Sequence, residues 1–259
     1  MGLSNEQKES VEETIRNSLR NKFNEYNPEP AVKPFHTRLL GKDRLALYSF
    51  IHSLNTNFGT TIFEPVAVSL ASKRFKVANQ TKSGTQISEK SQDEIQKIIN
   101  DLSAAHNKPD KQRETEIIRR VCQSGEWRTI KPTKVDIYLE DDAGVIYLID
   151  IKTVKPNKGG FIQFKRTLLE WSAVVMAQKP TVQVHTLVAI PYNPYHPEPY
   201  SRWTMAGMLD LKSELKVAEE FWDFLGGEGS YDDLLNCFQN VGMEMRQEID
   251  EYFSLFNSK

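Results

Sequence analysis

The chain has 259 residues, of which 39% are hydrophobic, and its formal net charge is −2. This composition suffices for a sizeable apolar core, and no stretch approaches the roughly 18 apolar residues of a membrane span. The first residues lack the basic and apolar blocks of a signal peptide, so we expect a cytoplasmic protein.

The cysteines and histidines argue against a disulfide framework and against a zinc site. Cys122 and Cys237 have no CxxC companion, and we expect both to pack as small apolar side chains. The five histidines never recur at i, i+4 or as a His-x-His pair. Zinc ligation and a histidine-based nuclease site are therefore poorly supported.

The charge is unevenly distributed along the chain. From Asp210 to the C-terminus there are twelve acidic and four basic residues, a net charge of −8, which leaves +6 for residues 1–209. Two basic segments without any acidic residue, 72–82 and 152–166, lie in that earlier part. Such segments are typical either of a solvated charged face or of a surface that binds a polyanion.

The first half of the chain is predicted to be mainly helical, and Glu64 lies at the start of its third helix. Apolar residues at helical spacing, capping residues and prolines define these helices. A polar loop is predicted at 76–90. The predicted helices are 5–25, a helix that ends before Gly59, Thr60–Phe75, 91–105 and 110–123.

Strand patterns begin after Gly125, and helices return near the C-terminus. The strands are bounded by turn residues, and the proline-rich segment 191–199 excludes regular structure. The predicted strands are 127–130, 134–140, 145–152 and Thr181–Ile190, and the predicted helices are Phe161–Gln178, 213–225 and 230–256. We expect a single domain over 1–259, with a helical part at about 1–124, a sheet core at about 125–195 and an acidic helical tail at about 205–259.

The hairpin formed by the strands 134–140 and 145–152 carries the strongest functional signal. A three-residue turn, with Gly144 in a positive φ conformation, places Asp141 opposite Val145 and therefore Asp136 opposite Asp150. Directly opposed residues share a face, and Lys152 lies on the same face, two residues beyond Asp150. The other face is apolar, which fixes the register of the hairpin.

Two opposed carboxylates repel unless a cation lies between them, and a hard divalent cation with oxygen ligands is the natural partner. Mg²⁺ fits this ligand set, and Lys152 could orient a water molecule for in-line attack on a phosphodiester. An ordinary hairpin with a solvated polar face is the competing interpretation. An aspartate at the end of an apolar run, followed by a basic loop, favours the catalytic interpretation.

Asp136, a spacer and then Asp150-Ile-Lys152, followed by a helix and a strand, resemble the PD-(D/E)xK nuclease superfamily. The chain resembles, more specifically, the TdeIII-type type II restriction endonucleases. The segments that carry this resemblance include Thr60–Glu64, Lys134–Asp136, Asp150–Phe161, Ala189–Pro194 and Glu220–Gly227.

The resemblance implies an α/β (α+β) fold, with a mixed central sheet flanked by helices and helical additions at both ends. It implies a Mg²⁺-dependent, site-specific deoxyribonuclease that acts as a homodimer on double-stranded DNA. Both strands of a short palindromic site, GGNCC-like, would be cut to leave 5′-phosphate and 3′-hydroxyl ends. A cognate DNA methyltransferase is expected in the same restriction–modification system.

The site residues follow from the resemblance position by position. Asp136 and Asp150 would be metal ligands, and Lys152 would orient the attacking water. Glu64 would be the additional glutamate that some members supply to the metal, although Glu114 and Glu116 compete for that role. A helix-start carboxylate favoured by the helix dipole explains Glu64 equally well.

DNA contacts are predicted from charge and position. Lys155 and Lys158 stand beside Gly159-Gly160, and Lys165 and Arg166 follow on the next helix, so all four are candidate phosphate contacts. Candidates for base recognition are Asn193, His196 and Arg202, together with residues 73–86. A repair or recombination nuclease and a non-catalytic DNA-binding module of the same fold remain alternatives.

Overall fold

The computed structural model describes residues 2–27, 33–152, 160–201 and 205–257. Its helices are α1 (Asn5–Glu25), α2 (Pro34–Leu40), α3 (Lys42–Phe58), α4 (Glu64–Ala71), α5 (Glu89–Ser103), α6 (Lys111–Val121), α7 (Phe161–Gln178), α8 (Glu219–Gly226), α9 (Ser230–Glu244) and α10 (Arg246–Asn257). Its strands are β1 (Val77–Lys82), β2 (Gln86–Ser88), β3 (Trp127–Thr129), β4 (Lys134–Glu140), β5 (Ile146–Ile151), β6 (Val184–Ile190) and β7 (Leu215–Val217).

The chain is divided into two compact units. Unit 1 comprises Met1–Val66 and Gly227–Lys259, and unit 2 comprises Ala67–Gly226. The predicted helical part, residues 1–124, is therefore divided between the two units, because α5 and α6 belong to unit 2. The single domain over 1–259 stays a prediction.

Unit 1 is helical. The predicted capping box at the start of α1 is present: the Ser4 hydroxyl accepts from the Gln7 amide, and the Gln7 side chain accepts from the Ser4 amide. Such a pair satisfies two backbone donors that the first helical turn leaves without partners. One face of α1 packs against α9, and bidentate ion pairs join Arg16 to Glu244 and Arg20 to Glu248.

Unit 2 is built on a mixed sheet, which within the described residues has the strand order β1-β4-β5-β6-β7. The β1–β4 and β4–β5 pairs are antiparallel, whereas β5–β6 and β6–β7 are parallel. Helix α7 makes the crossover between β5 and β6, as parallel neighbours require. The predicted mixed sheet flanked by helices is therefore confirmed.

Both faces of this sheet are covered. On one face, α7 packs together with α5 and α6 over a core that includes Leu148, Leu168 and Trp171. On the other face, the Tyr147 ring contacts Phe75 and Phe224, with ring centroids 5.9 and 5.3 Å apart. Because both faces of the sheet are covered, little of the backbone of β4 and β5 contacts water. The buried polar residues of these strands, Asp136 and Asp150, therefore lie in a largely apolar environment.

Several element predictions are wrong. The polar segment 76–90 forms β1 and β2 instead of a loop, and the predicted helix 213–225 contains β7 before α8. The predicted threonine cap is not a helix start, because α3 continues through a π-helical turn, Gly59–Phe63, into α4. The final predicted helix is interrupted at Met245 and becomes α9 and α10.

No helix in the described part of the chain combines the length and the apolar composition that a bilayer crossing requires.

Candidate active site

The β4–β5 hairpin is held in register by its turn. Gly144 adopts φ +79°, a conformation that favours glycine, and the Asp141 carboxylate accepts from the amides of Ala143 and Val145 at 2.9 Å each. The Asp141 amide also donates to the Val145 carbonyl at 3.1 Å. Asp141 therefore lies opposite Val145, as the sequence predicts.

The register brings the two aspartates together. The last paired residues of the ladder are Ile137 and Ile149, and one further step places Asp136 opposite Asp150. At that step the Ile151 amide donates to Asp136 Oδ2 at 2.8 Å, so the carboxylate takes a backbone donor of the neighbouring strand. Asp136 and Asp150 are only 7% and 8% exposed. The predicted carboxylate pair is therefore formed, and it is buried.

Lys152 completes this pair from the end of β5. Its Nζ lies 2.8 Å from both carboxylate oxygens of Asp150. It also lies 5.0 Å from the ring centroid of Phe164, on the first turn of α7, which is within range of a cation–π contact. Phe164 was not singled out in the sequence, because its place against Lys152 depends on how α7 returns to the sheet.

Burial makes the carboxylate pair electrostatically unfavourable when no cation is bound. Desolvation raises the pKa of Asp150 to about 6; Lys152 opposes this shift, and Asp136 adds to it. Two close, largely dehydrated carboxylates are a ligand set for a hard cation that prefers oxygen. The residues present therefore fit Mg²⁺, which commonly takes one or two carboxylates and leaves its other positions to water and phosphate.

A second lysine, Lys134, lies against the pair. Its Nζ is 3.2 Å from Asp136 Oδ1, and its side chain is 50% exposed. Lys134 is not among the site residues predicted from the sequence, although it precedes Asp136 by two residues and must therefore share its face of the strand. This spacing is the signal that could have identified it.

The identity of the additional glutamate ligand stays a prediction. Within the described residues of unit 2, no third acidic, histidine or cysteine side chain joins the aspartates in a metal-binding group. Glu114 is buried with lysines, and Glu116 pairs with Arg120 at 3.3 Å on the surface of α6. Glu64 is buried at the start of α4 in unit 1, and its participation stays a prediction.

Lys165 is not placed to contact DNA, contrary to the prediction. Its side chain is fully buried, and Nζ lies 2.5 Å from Glu114 Oε2 and 2.6 Å from Glu214 Oε2. Lys111 joins the same network, 3.2 Å from Glu214. Burial raises the pKa of Glu114, whereas Lys111 and Lys165 together outweigh burial at Glu214 and lower its pKa. The network ties α6 and α7 to the segment before β7.

The other predicted DNA contacts have different outcomes. Arg166 is half-buried and donates to Gln96 on α5 at 2.7 Å. Asn193 braces the proline-rich loop, since its side chain donates to the Glu198 carbonyl and accepts from the Tyr195 amide. His196 is exposed in the same loop. Lys155, Lys158 and Arg202 lie outside the described residues.

The chain is similar over most of its length to type II restriction enzymes. A family model described as "Type II restriction endonuclease, HinfI" matches residues 3–242. The type II restriction enzyme MjaII of Methanocaldococcus jannaschii is 30% identical over 195 residues, which is 71% of this chain and 51% of that enzyme. The chain thus spans about half the length of this relative.

Two enzymes of Herpetosiphon aurantiacus are covered more completely. The type II restriction enzyme HgiEI is 26% identical over 226 residues, which is 85% of this chain and 81% of that enzyme. The type II restriction enzyme HgiCII is 25% identical over 223 residues, which is 84% of this chain and 80% of that enzyme.

Proposed function

We propose that this chain, which belongs to the HinfI family of type II restriction endonucleases, cuts both strands of double-stranded DNA with the buried Asp136–Asp150 pair and Lys152. The observation that carries the proposal is the geometry of the hairpin: two opposed carboxylates with a lysine 2.8 Å from one of them. These are the components of a metal-dependent phosphodiesterase.

The roles of the three side chains follow from their chemistry. Asp136 and Asp150 would hold Mg²⁺, which when bound polarises a phosphoryl oxygen and stabilises the leaving oxygen. The Ile151 amide donates to Asp136 Oδ2, and this hydrogen bond fixes the orientation of the whole Asp136 carboxylate. Lys152 is positioned by Asp150 and Phe164, and its remaining N–H groups can orient a water molecule and favour its deprotonation.

The product and the assembly follow from the family and from the symmetry of DNA. We propose 5′-phosphate and 3′-hydroxyl ends, which an in-line attack of water on phosphorus produces when the 3′ oxygen leaves. A short palindromic site, GGNCC-like, has two-fold symmetry, and a homodimer matches that symmetry with one active site for each strand. Glu64 is proposed as an additional metal ligand, and Lys155, Lys158, Arg166, Asn193 and Arg202 as DNA contacts.

The cellular setting follows from the substrate. An enzyme that cuts at a short sequence would also cut the host chromosome, so we propose that a cognate DNA methyltransferase protects the same site. We propose the cytoplasm as the place of action, because both host and incoming DNA are present there.

Digestion of a plasmid of known sequence tests the proposal. With Mg²⁺, the protein should produce discrete fragments, and sequencing their ends should reveal one short palindrome. DNA ligase should rejoin the fragments, because it requires 5′-phosphate and 3′-hydroxyl ends. Lys152→Ala should abolish cutting while the protein stays folded and still binds DNA, whereas Lys212→Ala, at an exposed residue before β7, should cut normally.

Other results would contradict the proposal in distinguishable ways. Nicking confined to branched or damaged DNA would indicate a repair or recombination nuclease. Retardation of DNA without any cutting would indicate a binding module. Normal cutting by Lys152→Ala would show that the hairpin is not the active site.

A further inference from the structure

A row of three lysines crosses the sheet beside the carboxylate pair. Lys82, the last residue of β1, is directly paired with Lys134 of β4 in the antiparallel register. Directly opposed residues of an antiparallel pair project from the same face of the sheet. Lys82 therefore shares the face from which Lys134, Asp136 and Asp150 project.

Lys134 contacts Asp136 on β4, and Lys152, just after β5, contacts Asp150. Lys134 Nζ is 3.2 Å from Asp136, and Lys152 Nζ is 2.8 Å from Asp150. Because Asp136 and Asp150 themselves interact, both ammonium groups belong to one cluster. Lys82 belongs to the basic segment 72–82 and to the segment 73–86 predicted for base recognition, but neither Lys82 nor Lys134 is predicted from the sequence as a phosphate contact.

The row is accessible, and its charge exceeds that of the carboxylates. Lys82 is exposed, and the side chains of Lys134 and Lys152 are 50% and 29% exposed. Three lysines share this part of the face with two aspartates, so the basic side chains outnumber the acidic ones and favour a polyanionic ligand.

The dimensions of the row match a short length of nucleic acid backbone. Neighbouring strands lie about 4.8 Å apart, so a row from β1 to β5 spans about 10 Å. One strand of duplex DNA carries a phosphate for about every 3.4 Å along the helix axis. Because the backbone also winds around that axis, consecutive phosphates are farther apart than this rise, and the row can face about two of them, with the carboxylate pair beside them.

We propose that Lys82 and Lys134 are phosphate-binding residues that, together with Lys152, hold the backbone of the cleaved strand across β1, β4 and β5. This inference rests on the proposed function, since it assigns the phosphodiester ligand of the same site. An ammonium group has three donors, so Lys134 can keep its contact with Asp136 while it binds a phosphate oxygen.

The test measures DNA affinity in the absence of cutting. A short fluorescent duplex that carries the cleaved sequence is titrated in EDTA at several KCl concentrations, and binding is followed by anisotropy. Each lost phosphate contact should lower the slope of log K against log salt by about 0.9. Lys82→Gln and Lys134→Gln should each show this loss, whereas Lys82→Arg and Lys134→Arg should keep the wild-type slope.

Lys212→Gln is the matched control, because it removes the same charge from an exposed residue before β7, at the sheet edge opposite to β1. It should leave the slope unchanged. Thermal unfolding of each variant verifies that the fold is retained. A loss of affinity that the arginine variants do not prevent would contradict a charge contact.

The inference and the proposed function can fail separately. If the wild type neither binds nor cuts DNA, the proposed function is wrong. If the wild type cuts and Lys152→Ala does not, but Lys82→Gln and Lys134→Gln keep the wild-type slope, the lysine row does not bind phosphate. In that case the contact between Lys134 and Asp136 has no part in DNA binding.

Discussion

Replacing Asp150 with asparagine should stabilise the metal-free protein at neutral and alkaline pH. The pKa of this carboxyl is raised from 3.8 to about 6, with burial as the largest cause. Between these two values the folded state holds a proton that the unfolded state releases, so stability falls as the pH rises. Asparagine has nearly the shape of a protonated aspartate and does not ionise, so it removes that loss.

The size of the effect follows from the shift. A difference of about two pKa units corresponds to about 3 kcal/mol in the free energy of unfolding. The advantage of Asp150→Asn should be near zero below about pH 4, increase between about pH 4 and pH 6, and stay constant above that range. Urea unfolding in EDTA, repeated across this pH range for the wild type and the variant, measures it.

Asp142→Asn provides the control, since Asp142 is an exposed residue of the turn in the same hairpin. It should leave the pH dependence of stability unchanged. With Mg²⁺ added, the wild type should gain stability by mass action, and Asp150→Asn should gain little. If Asp150→Asn is no more stable than the wild type at pH 8 in EDTA, the buried carboxylate is not the unfavourable group that the structure indicates.

Two further changes test the surroundings of the site. Lys165→Met should lower the free energy of unfolding by about 3–5 kcal/mol, because it removes the ammonium partner of the buried Glu114 and leaves Glu214 with Lys111 alone; chemical denaturation measures this, and a loss below about 1 kcal/mol would contradict it. Phe164→Leu keeps an apolar side chain but removes the ring beneath Lys152, so its kcat should fall several-fold with little change in KM. Phe164→Tyr keeps the ring and should have the wild-type kcat. Equal defects in Phe164→Leu and Phe164→Tyr would show that the ring acts through packing alone.

The hairpin could be predicted in detail because two independent constraints fix it. The glycine turn sets which residues are opposed, and alternation along β4 sets which face is apolar. Both constraints are local in sequence, so the pairing of Asp136 with Asp150 needed no knowledge of the rest of the fold. The predicted class, a type II restriction endonuclease of the PD-(D/E)xK type, is likewise confirmed, although the matching model is that of HinfI and the motifs resembled the TdeIII type.

The strands at the sheet edges were missed because they lack the signals of buried strands. Residues 79–82 of β1 are exposed, so this strand shows little alternation of apolar and polar residues. Strand β7 has only three residues and joins the sheet through its parallel pairing with β6. In both cases the neighbouring strand, distant in sequence, supplies the partners that make the segment a strand.

Lys165 illustrates a different limit of sequence reasoning. It stands beside Arg166 in a basic segment, and nothing nearby in sequence indicates that it is buried. Its partner Glu214 is 49 residues away and belongs to the tail that was regarded as an acidic helical addition. Charge counted along the sequence therefore suggests a surface cation at Lys165, whereas pairing across the fold buries it together with Glu214.

The charges at the hairpin link ion binding to DNA binding. In the metal-free protein, Lys134 and Lys152 lie against the carboxylates that would hold Mg²⁺, so the ammonium groups and the cation compete for the same oxygens. A cation on the aspartates would leave more of the lysine donors to phosphate, and a phosphate that takes up some of these donors would lower the cost of binding the cation. Because such coupling is reciprocal, each ligand should raise the affinity for the other by the same factor.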